Sequence, residues 1–185
     1  MKTSTLRIAV LSVVLQLAAC RAGGTLIVLD KSDATARLID ARTHELLAKL
    51  PTGAGPHEVA TRGALAVVAD YGEQEGGNTL SVFDVEQRAL VRKIDLGAHR
   101  RPHGIVFCDD EHVLVTSEQS KALLRVDIVR GEVVDVLSTQ QEASHMVAVT
   151  PDGTHAFVAN IGSDTVSVFD LRTMRLRAQV PCGDG

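Results

Sequence analysis

The chain contains an internal repeat of about 43 residues, and this repeat constrains the fold more than any other feature. Four aspartates each close a short apolar run and lie 44, 43 and 43 residues apart: Asp40, Asp84, Asp127 and Asp170. A second marker has a similar spacing, since a histidine precedes an alternating apolar segment at His57, His103 and His145, 46 and 42 residues apart. Two independent markers with one period predict an array of similar structural units.

Each repeat predicts four short strands separated by turns. In the last repeat, breaks such as Pro151-Asp152-Gly153 separate alternating apolar runs at 146–150, 155–159, 165–169 and 175–180. Proline presets φ, glycine accepts positive φ, and aspartate or asparagine bonds to the local backbone, so these breaks favour turns. The two preceding repeats match strand for strand, whereas the first begins at Thr25 and lacks the innermost strand.

Four-stranded antiparallel units at this interval predict an all-β propeller, because an isolated blade cannot bury both faces and must pack against neighbours. We expect propeller repeats over residues 21–185, with blades at about 23–50, 56–95, 102–137 and 144–180. Because the first blade lacks a strand, the sequence favours an open part of a larger propeller. A compact four-bladed ring is the alternative.

Residues 1–20 have the pattern of a signal peptide that ends in a lipobox. Lys2 and Arg7 precede an uncharged, mostly apolar run from Ile8 to Ala19, which is typical of export signals. At about 1.5 Å per residue, a helix of this length is too short for a hydrocarbon core of about 30 Å. The run ends in Leu17-Ala18-Ala19-Cys20, so we expect a lipidated Cys20, membrane attachment and a periplasmic or outer-membrane location; cleavage beside an incidental cysteine is the alternative.

Composition and motif spacing restrict the partners. The chain is 45% hydrophobic with a formal net charge of −4, so its charge does not indicate a nucleic-acid partner. It has no CxxCH sequence for covalent haem attachment and no HxH or HExxH spacing for a dedicated metal site. We therefore expect no cofactor and assign no metal ligand.

Three phrases resemble the bacterial YVTN-type propeller repeat of the YncE-like proteins: Val149-Thr150-Pro151-Asp152-Gly153, Ala156-Phe157-Val158-Ala159-Asn160 and Thr165-Val166-Ser167-Val168-Phe169-Asp170. The literal tetrapeptide is absent, and Phe157-Val158-Ala159-Asn160 stands in its place. The resemblance extends from Gly23 onward and implies a seven-bladed exported propeller, of which this chain would supply about four blades. Similar repeats occur in lactonase-like propellers, so the resemblance implies the fold more specifically than the activity.

In such a blade, the loop entering the first strand and the loop leaving the second lie at the same end of the channel. We therefore expect a ligand-binding channel mouth that combines the three histidines with polar residues at the ends of second strands: His57, His103, His145, Asp30, Asp70, Glu118 and Asn160. Repeated structural hydrogen bonds are the alternative role for these side chains. A single ion held by all three histidines is not expected, because they come from separate blades.

The loop from Gly72 to Gly77 is four residues longer than its counterpart in the last repeat. It is either a mobile contact element or a tolerated insertion, and His99-Arg100-Arg101 offers positive charge on the same face. The function predicted from these features is an envelope scaffold that binds a small ligand or an envelope protein, with no catalytic residue assigned. The alternative is a lactonase-like hydrolase that uses the channel-mouth histidines and carboxylates, with or without a divalent cation.

Overall fold

The computed structural model describes residues 23–183, and this part of the chain consists of strands and turns without a helix. No helix able to cross a membrane therefore occurs in residues 23–183. The predicted signal peptide and lipobox lie outside the described residues. The strands are β1 (Thr25–Asp30), β2 (Thr35–Asp40), β3 (Leu46–Pro51), β4 (Pro56–Arg62), β5 (Leu65–Asp70), β6 (Thr79–Asp84), β7 (Ala89–Asp95), β8 (Pro102–Phe107), β9 (His112–Ser117), β10 (Ala122–Asp127), β11 (Glu132–Ser138), β12 (Ser144–Val149), β13 (His155–Asn160), β14 (Thr165–Asp170) and β15 (Arg175–Pro181).

These strands form four antiparallel sheets in which neighbours in sequence are neighbours in space. Blade 1 contains β1 to β3, blade 2 contains β4 to β7, blade 3 contains β8 to β11, and blade 4 contains β12 to β15. The all-β prediction is confirmed, and within residues 23–183 blade 1 has three strands, without the innermost one, as the sequence indicated. The architecture agrees with part of a seven-bladed propeller.

The sheets are arranged around an axis. The first strands of blades 2, 3 and 4, which are β4, β8 and β12, pack closely side by side, whereas the outer strands β7, β11 and β15 barely touch the neighbouring sheets. Sheets that meet along their first strands and diverge at their last strands radiate from a centre, as propeller blades do. The residues at the entrance of β4, β8 and β12 therefore share one end of the axis.

The recurring aspartates form turns at the opposite end of the blades. Asp40 Oδ1 accepts hydrogen bonds of 2.8 Å from the N–H groups of Arg42 and Thr43. Asp127 and Asp170 make the same pair of bonds two and three residues ahead. The backbone donors lower the pKa of all three carboxyl groups. Local hydrogen bonds in these turns thus explain why an aspartate recurs at this position of the repeat.

The hydrophobic core lies between blades. One cluster joins blade 1 to blade 2, a second joins blade 2 to blade 3, and a third joins blade 3 to blade 4. Phe83 on β6 and Phe169 on β14 occupy equivalent positions and are fully buried. Each aromatic ring removes a large apolar area from water at the contact with the neighbouring blade. Blade-to-blade packing therefore fixes the position of the axial end.

Candidate functional site

Three imidazole rings from successive blades lie one against the next at the axial end, and we call them the histidine stack: His57, His103 and His145. Neighbouring rings are tilted by 45° and 35°. The ring centroids of His57 and His103 are 4.3 Å apart, and those of His103 and His145 are 3.7 Å apart. His57 and His145 are half-buried, whereas His103 between them is only 3% exposed. The structure thus brings together the three histidines that the repeat singled out.

A glycine next to the central histidine permits this close approach. A Cβ atom on Gly104 would lie 2.7 Å from the Cα of Met146 and 2.8 Å from the N of Val147, so a side chain would push β12 away. Thr116 on β9 bonds to both strands: its hydroxyl donates to the carbonyl oxygen of His145 at 2.6 Å and accepts from Gly104 N–H at 2.9 Å. The glycine and the threonine hydroxyl thereby set the distance between β8 and β12, and with it the spacing of the histidine stack.

His103 is held in its neutral form. Burial is the main cause, and the neighbouring imidazoles of His145 and His57 add to it, so the pKa of His103 falls to about 4. Its Nδ1 atom is buried and has no hydrogen-bond partner within residues 23–183. A neutral imidazole with a free polar atom can accept or donate to a bound molecule at neutral pH.

Tyr71, Glu118 and His145 form a hydrogen-bonded chain beside the stack. The hydroxyl of Tyr71 donates to Glu118 Oε2 at 2.7 Å, and Glu118 Oε1 pairs with His145 Nδ1 at 2.7 Å. Burial acts to raise the pKa of Glu118, but the bonds from Tyr71 and His145 outweigh burial and lower it. Burial and the bond to Glu118 raise the pKa of Tyr71. The carboxylate is therefore ionised, and it favours the tautomer of His145 with the proton on Nδ1.

Two cations contact the face of Tyr71. Lys31 Nζ lies 5.1 Å from the centre of the ring, and the Arg101 guanidinium lies 5.3 Å from it. Arg101 Nη1 also donates to the Tyr71 hydroxyl at 2.9 Å. Two positive charges thus lie against the ring of Tyr71, while its hydroxyl donates to a carboxylate.

Sequence reasoning missed Lys31 and Tyr71, although a signal for them was available. They follow β1 and β5 directly, in the position that Glu118 occupies after β9 and Ile161 occupies after β13. Among these four equivalent residues, only Ile161 is apolar. The residue one place beyond the end of each second strand therefore marks the polar border of the histidine stack, which consists of Lys31, Tyr71 and Glu118.

Asp70 and Asn160 have structural partners instead. Asp70 Oδ2 accepts bonds of 2.8 Å from the hydroxyls of Thr79 and Ser81 on the adjacent strand β6. Asn160 Nδ2 donates to Thr165 and Ser167 at the equivalent positions of β14. Each side chain is 1% exposed. They join neighbouring strands within their own blades.

Asp30, at the equivalent position of blade 1, is likewise bonded within its own sheet. Its carboxylate accepts from Arg37 and from the hydroxyl of Thr35 on β2. Of the four polar residues placed beside the histidines by the sequence, Glu118 is the one that bonds directly to the histidine stack.

The long loop from Gly72 to Gly77 is anchored at several points. Arg100 Nη1 donates to the carbonyl of Gly76 at 2.9 Å, and Arg101 Nη2 donates to that of Gln74 at 3.2 Å. The N–H of Gly72 bonds to the carbonyl of Ala54 at 2.8 Å. Arg100 and Arg101, which the sequence predicts to lie on the same face as this loop, thus hold its backbone next to Tyr71.

Two groups of side chains at this end have the donor atoms that a metal ion requires. One consists of His103, Glu118 and His145, and the other of His57, Glu58 and His103; within each group the candidate ligand atoms lie within 4.8 Å of one another. His103 is common to both. The site can therefore offer imidazoles, a carboxylate, a phenol and two cations to a bound molecule.

Comparison with known proteins supports the fold. No curated protein sequence matches the chain significantly. A solved structure of hydrazine synthase from Kuenenia stuttgartiensis is similar with a TM-score of 0.74 and 24% identity, over 84% of this chain and 45% of that one. The chain thus spans less than half the length of that protein. At this identity the similarity shows the propeller fold alone.

The sequence also matches a family model, described as "Lactonase, 7-bladed beta-propeller", over residues 22–184. This range includes the four blades, the histidine stack and its polar border. The family description agrees with the radiating four-stranded sheets, of which four lie within residues 23–183. The chain therefore belongs to the seven-bladed β-propeller lactonase family.

Proposed function

We propose that the axial end binds a small polar ligand, either anionic or polyhydroxylated, and that the protein acts as a binding scaffold. The convergence of three imidazoles from three blades into one stack supports this most directly. Aliphatic side chains would pack at these positions without polar atoms that need hydrogen-bond partners, so three adjacent imidazoles are an unusual choice for packing alone. A ligand that bonds to those atoms supplies the missing partners.

The chemical class of ligand follows from the groups at the site. Neutral imidazole donates from one nitrogen and accepts at the other, which suits hydroxyl groups. Lys31 and Arg101 add positive charge beside Tyr71, which suits a carboxylate. Glu118 accepts a hydrogen bond from the Tyr71 hydroxyl and can accept from a ligand hydroxyl as well. A sugar acid combines both features, so D-gluconate is an appropriate probe.

Calorimetric titration of the full-length chain with D-gluconate tests this proposal. We expect saturable binding that His57→Asn and His103→Asn each weaken at least about tenfold, equivalent to about 1.4 kcal/mol. His44→Asn is the matched control, because His44 lies exposed in the β2–β3 turn at φ 61°, a conformation that asparagine also adopts. Equal binding by all variants, or no binding by the parent chain, would contradict the proposal.

Lactone hydrolysis is a second candidate, and the family match favours it. Glu118 orients His145 through Nδ1, which leaves Nε2 as a base that can take a proton from water as the water attacks an ester carbonyl. Opening of glucono-δ-lactone, followed by acid release, measures the activity. We expect Glu118→Gln to slow it by about 10²-fold or more, with His44→Asn unchanged. Rates that match the uncatalysed reaction would exclude this candidate.

We also propose that the protein is exported and lipid-anchored in the cell envelope. The pattern of residues 1–20 supports this, with Leu17-Ala18-Ala19-Cys20 as the lipobox. Metabolic labelling with a fatty-acid analogue tests it: the full-length chain should be labelled and membrane-bound, and Cys20→Ser should be neither. Labelling of the Cys20→Ser variant would refute the assignment.

Within the family, we propose that the chain is a YVTN-type repeat protein. The phrases at 149–153, 156–160 and 165–170 support this subgroup. Each phrase supplies a strand or turn that the blade requires, with Asn160 and Asp170 at strand ends. The structure of the longer protein to which the repeats are expected to belong tests it, since that protein should contain seven blades with this order of strands; another blade number would contradict the subgroup.

A further inference from the structure

We infer that His103, Glu118 and His145 bind a divalent transition-metal cation at the axial end of the propeller. This inference deepens the proposed function, since it rests on the same end of the protein being a binding site. It concerns two adjacent blades only, because His103 enters β8, Glu118 follows β9 in the same blade, and His145 enters β12.

The separation of the donor atoms is the first argument. The three candidate ligand atoms lie within 4.8 Å of one another. Two ligands on one tetrahedral ion with bonds of about 2.1 Å are about 3.4 Å apart. Small rotations of the side chains therefore bring all three onto one ion. Because this set comes from two blades, it does not require side chains of three separate blades to meet at one ion.

The state of His103 is the second argument. This side chain is 3% exposed, and its Nδ1 atom has no hydrogen-bond partner in the described part of the chain. A buried polar atom without a partner is costly unless something binds it.

The outer contacts of the ligands are the third argument. Tyr71, which is not a ligand in this set, donates to Glu118 at 2.7 Å. Metal ligands are commonly fixed by such secondary hydrogen bonds. The cations Lys31 and Arg101 in turn contact Tyr71.

The donor set indicates the class of metal. Two imidazoles and one carboxylate are the protein ligands of several open zinc sites, in which water takes the fourth position. Imidazole favours zinc, cobalt, nickel and copper, whereas magnesium and calcium prefer oxygen ligands. The alternative set with Glu58 is less suitable, because the side chain of Glu58 is 37% exposed, against 13% for Glu118.

Titration of the full-length, chelator-treated protein with Co²⁺ tests the inference. Cobalt reports the coordination geometry by visible absorption, and calorimetry gives the stoichiometry. We expect one ion per chain, displaced by Zn²⁺ and insensitive to excess Mg²⁺. His145→Asn should abolish the cobalt spectrum, and Tyr71→Phe should weaken the affinity about 10- to 100-fold, as loss of an outer-shell bond does.

Two further variants locate the ion. His44→Asn should bind cobalt like the parent chain, and His57→Asn should retain it because His57 is not a ligand. Loss of cobalt in His57→Asn with retention in His145→Asn would overturn the inference, as would an absence of saturable binding. Gluconate titration in the presence of chelator separates the two proposals: binding there without any cobalt binding would overturn the metal inference and leave the proposed function intact.

Discussion

The carbonyl oxygen of His145 lies 2.6 Å from the position that a Cβ atom on Gly104 would occupy. Real Cβ atoms do not approach a backbone oxygen so closely, so β8 and β12 can be this near only because residue 104 is glycine. The same contact sets His103 against His145 at 3.7 Å. Backbone proximity and imidazole stacking are thus one structural feature.

Gly104→Ala should disturb this feature. We expect a loss of about 1–3 kcal/mol in the free energy of unfolding, because the added methyl group overpacks a close contact. Gluconate affinity should also fall, since β12 and His145 must move away. Gly24→Ala is the control, because its added Cβ would meet only Ala41 at 3.9 Å. Urea unfolding and calorimetry measure both effects; a Gly104→Ala protein as stable as Gly24→Ala would contradict the prediction.

Asp70→Asn should stabilise the protein at neutral pH. Burial raises the pKa of Asp70 above 3.8, and its Oδ1 atom has no partner within residues 23–183. Asparagine keeps the shape without the charge, as Asn160 does at the equivalent position of blade 4. We expect a gain of about 1 kcal/mol in unfolding free energy, measured by thermal denaturation. A lower melting temperature for Asp70→Asn at pH 7 would refute this.

The advantage of Asp70→Asn should depend on pH in one direction. Because the pKa is higher in the folded state, the folded carboxyl group holds its proton while the unfolded one releases it. The parent chain therefore loses stability as pH rises through the interval above 3.8, and the variant does not. The difference in melting temperature should grow between about pH 3 and pH 7. A constant difference would mean that Asp70 is not the cause.

Phe83→Ala should destabilise the protein far more than Phe157→Ala. Phe83 is 1% exposed between blades 1 and 2, whereas Phe157 is 40% exposed. Truncation of a buried phenylalanine costs about 3–5 kcal/mol, and an exposed one costs much less because it loses little burial. Denaturant unfolding of both variants compares the two positions. Similar losses at both would show that blade-to-blade packing contributes little to stability.

Arg101→Gln should loosen the loop from Gly72 to Gly77. Arg101 bonds to the carbonyl of Gln74 and to the hydroxyl of Tyr71, and both bonds depend on its guanidinium. Amide hydrogen exchange should become faster at residues 72–77, with the rest of the chain unaffected. Arg62→Gln is the control, since Arg62 pairs with the exposed Asp110 and lies at the end of β4 that is far from the loop. Unchanged exchange in Arg101→Gln would contradict the anchoring role.

The fold was predictable because its determinants are local and repeated. The turn aspartates, the alternating strands and the 43-residue period all lie in the sequence. Each has a local physical cause, such as the hydrogen bonds that the N–H groups of Val129 and Arg130 donate to Asp127 Oδ1. Even the missing strand of blade 1 is visible in the order of apolar runs.

The site was predictable only in part, because its contacts cross between blades. The period placed His57, His103 and His145 at one end, but it carries no information on side-chain direction. Asp70 is the last residue of β5, whereas Glu118 is the first residue after β9. Asp70 bonds to its own sheet and Glu118 to His145. The difference is a single position along the strand, which reverses the face on which a side chain lies.

The residue that follows each second strand changes in character around the axis: Lys31, Tyr71, Glu118 and Ile161 succeed one another from blade 1 to blade 4. The backbone repeats, but the chemistry at this position runs from cationic through aromatic and anionic to apolar. A molecule lying across this end meets a different group on each side. Pseudo-symmetry in the scaffold therefore coexists with a polar gradient, and the ligand that we propose would meet different groups in its two orientations.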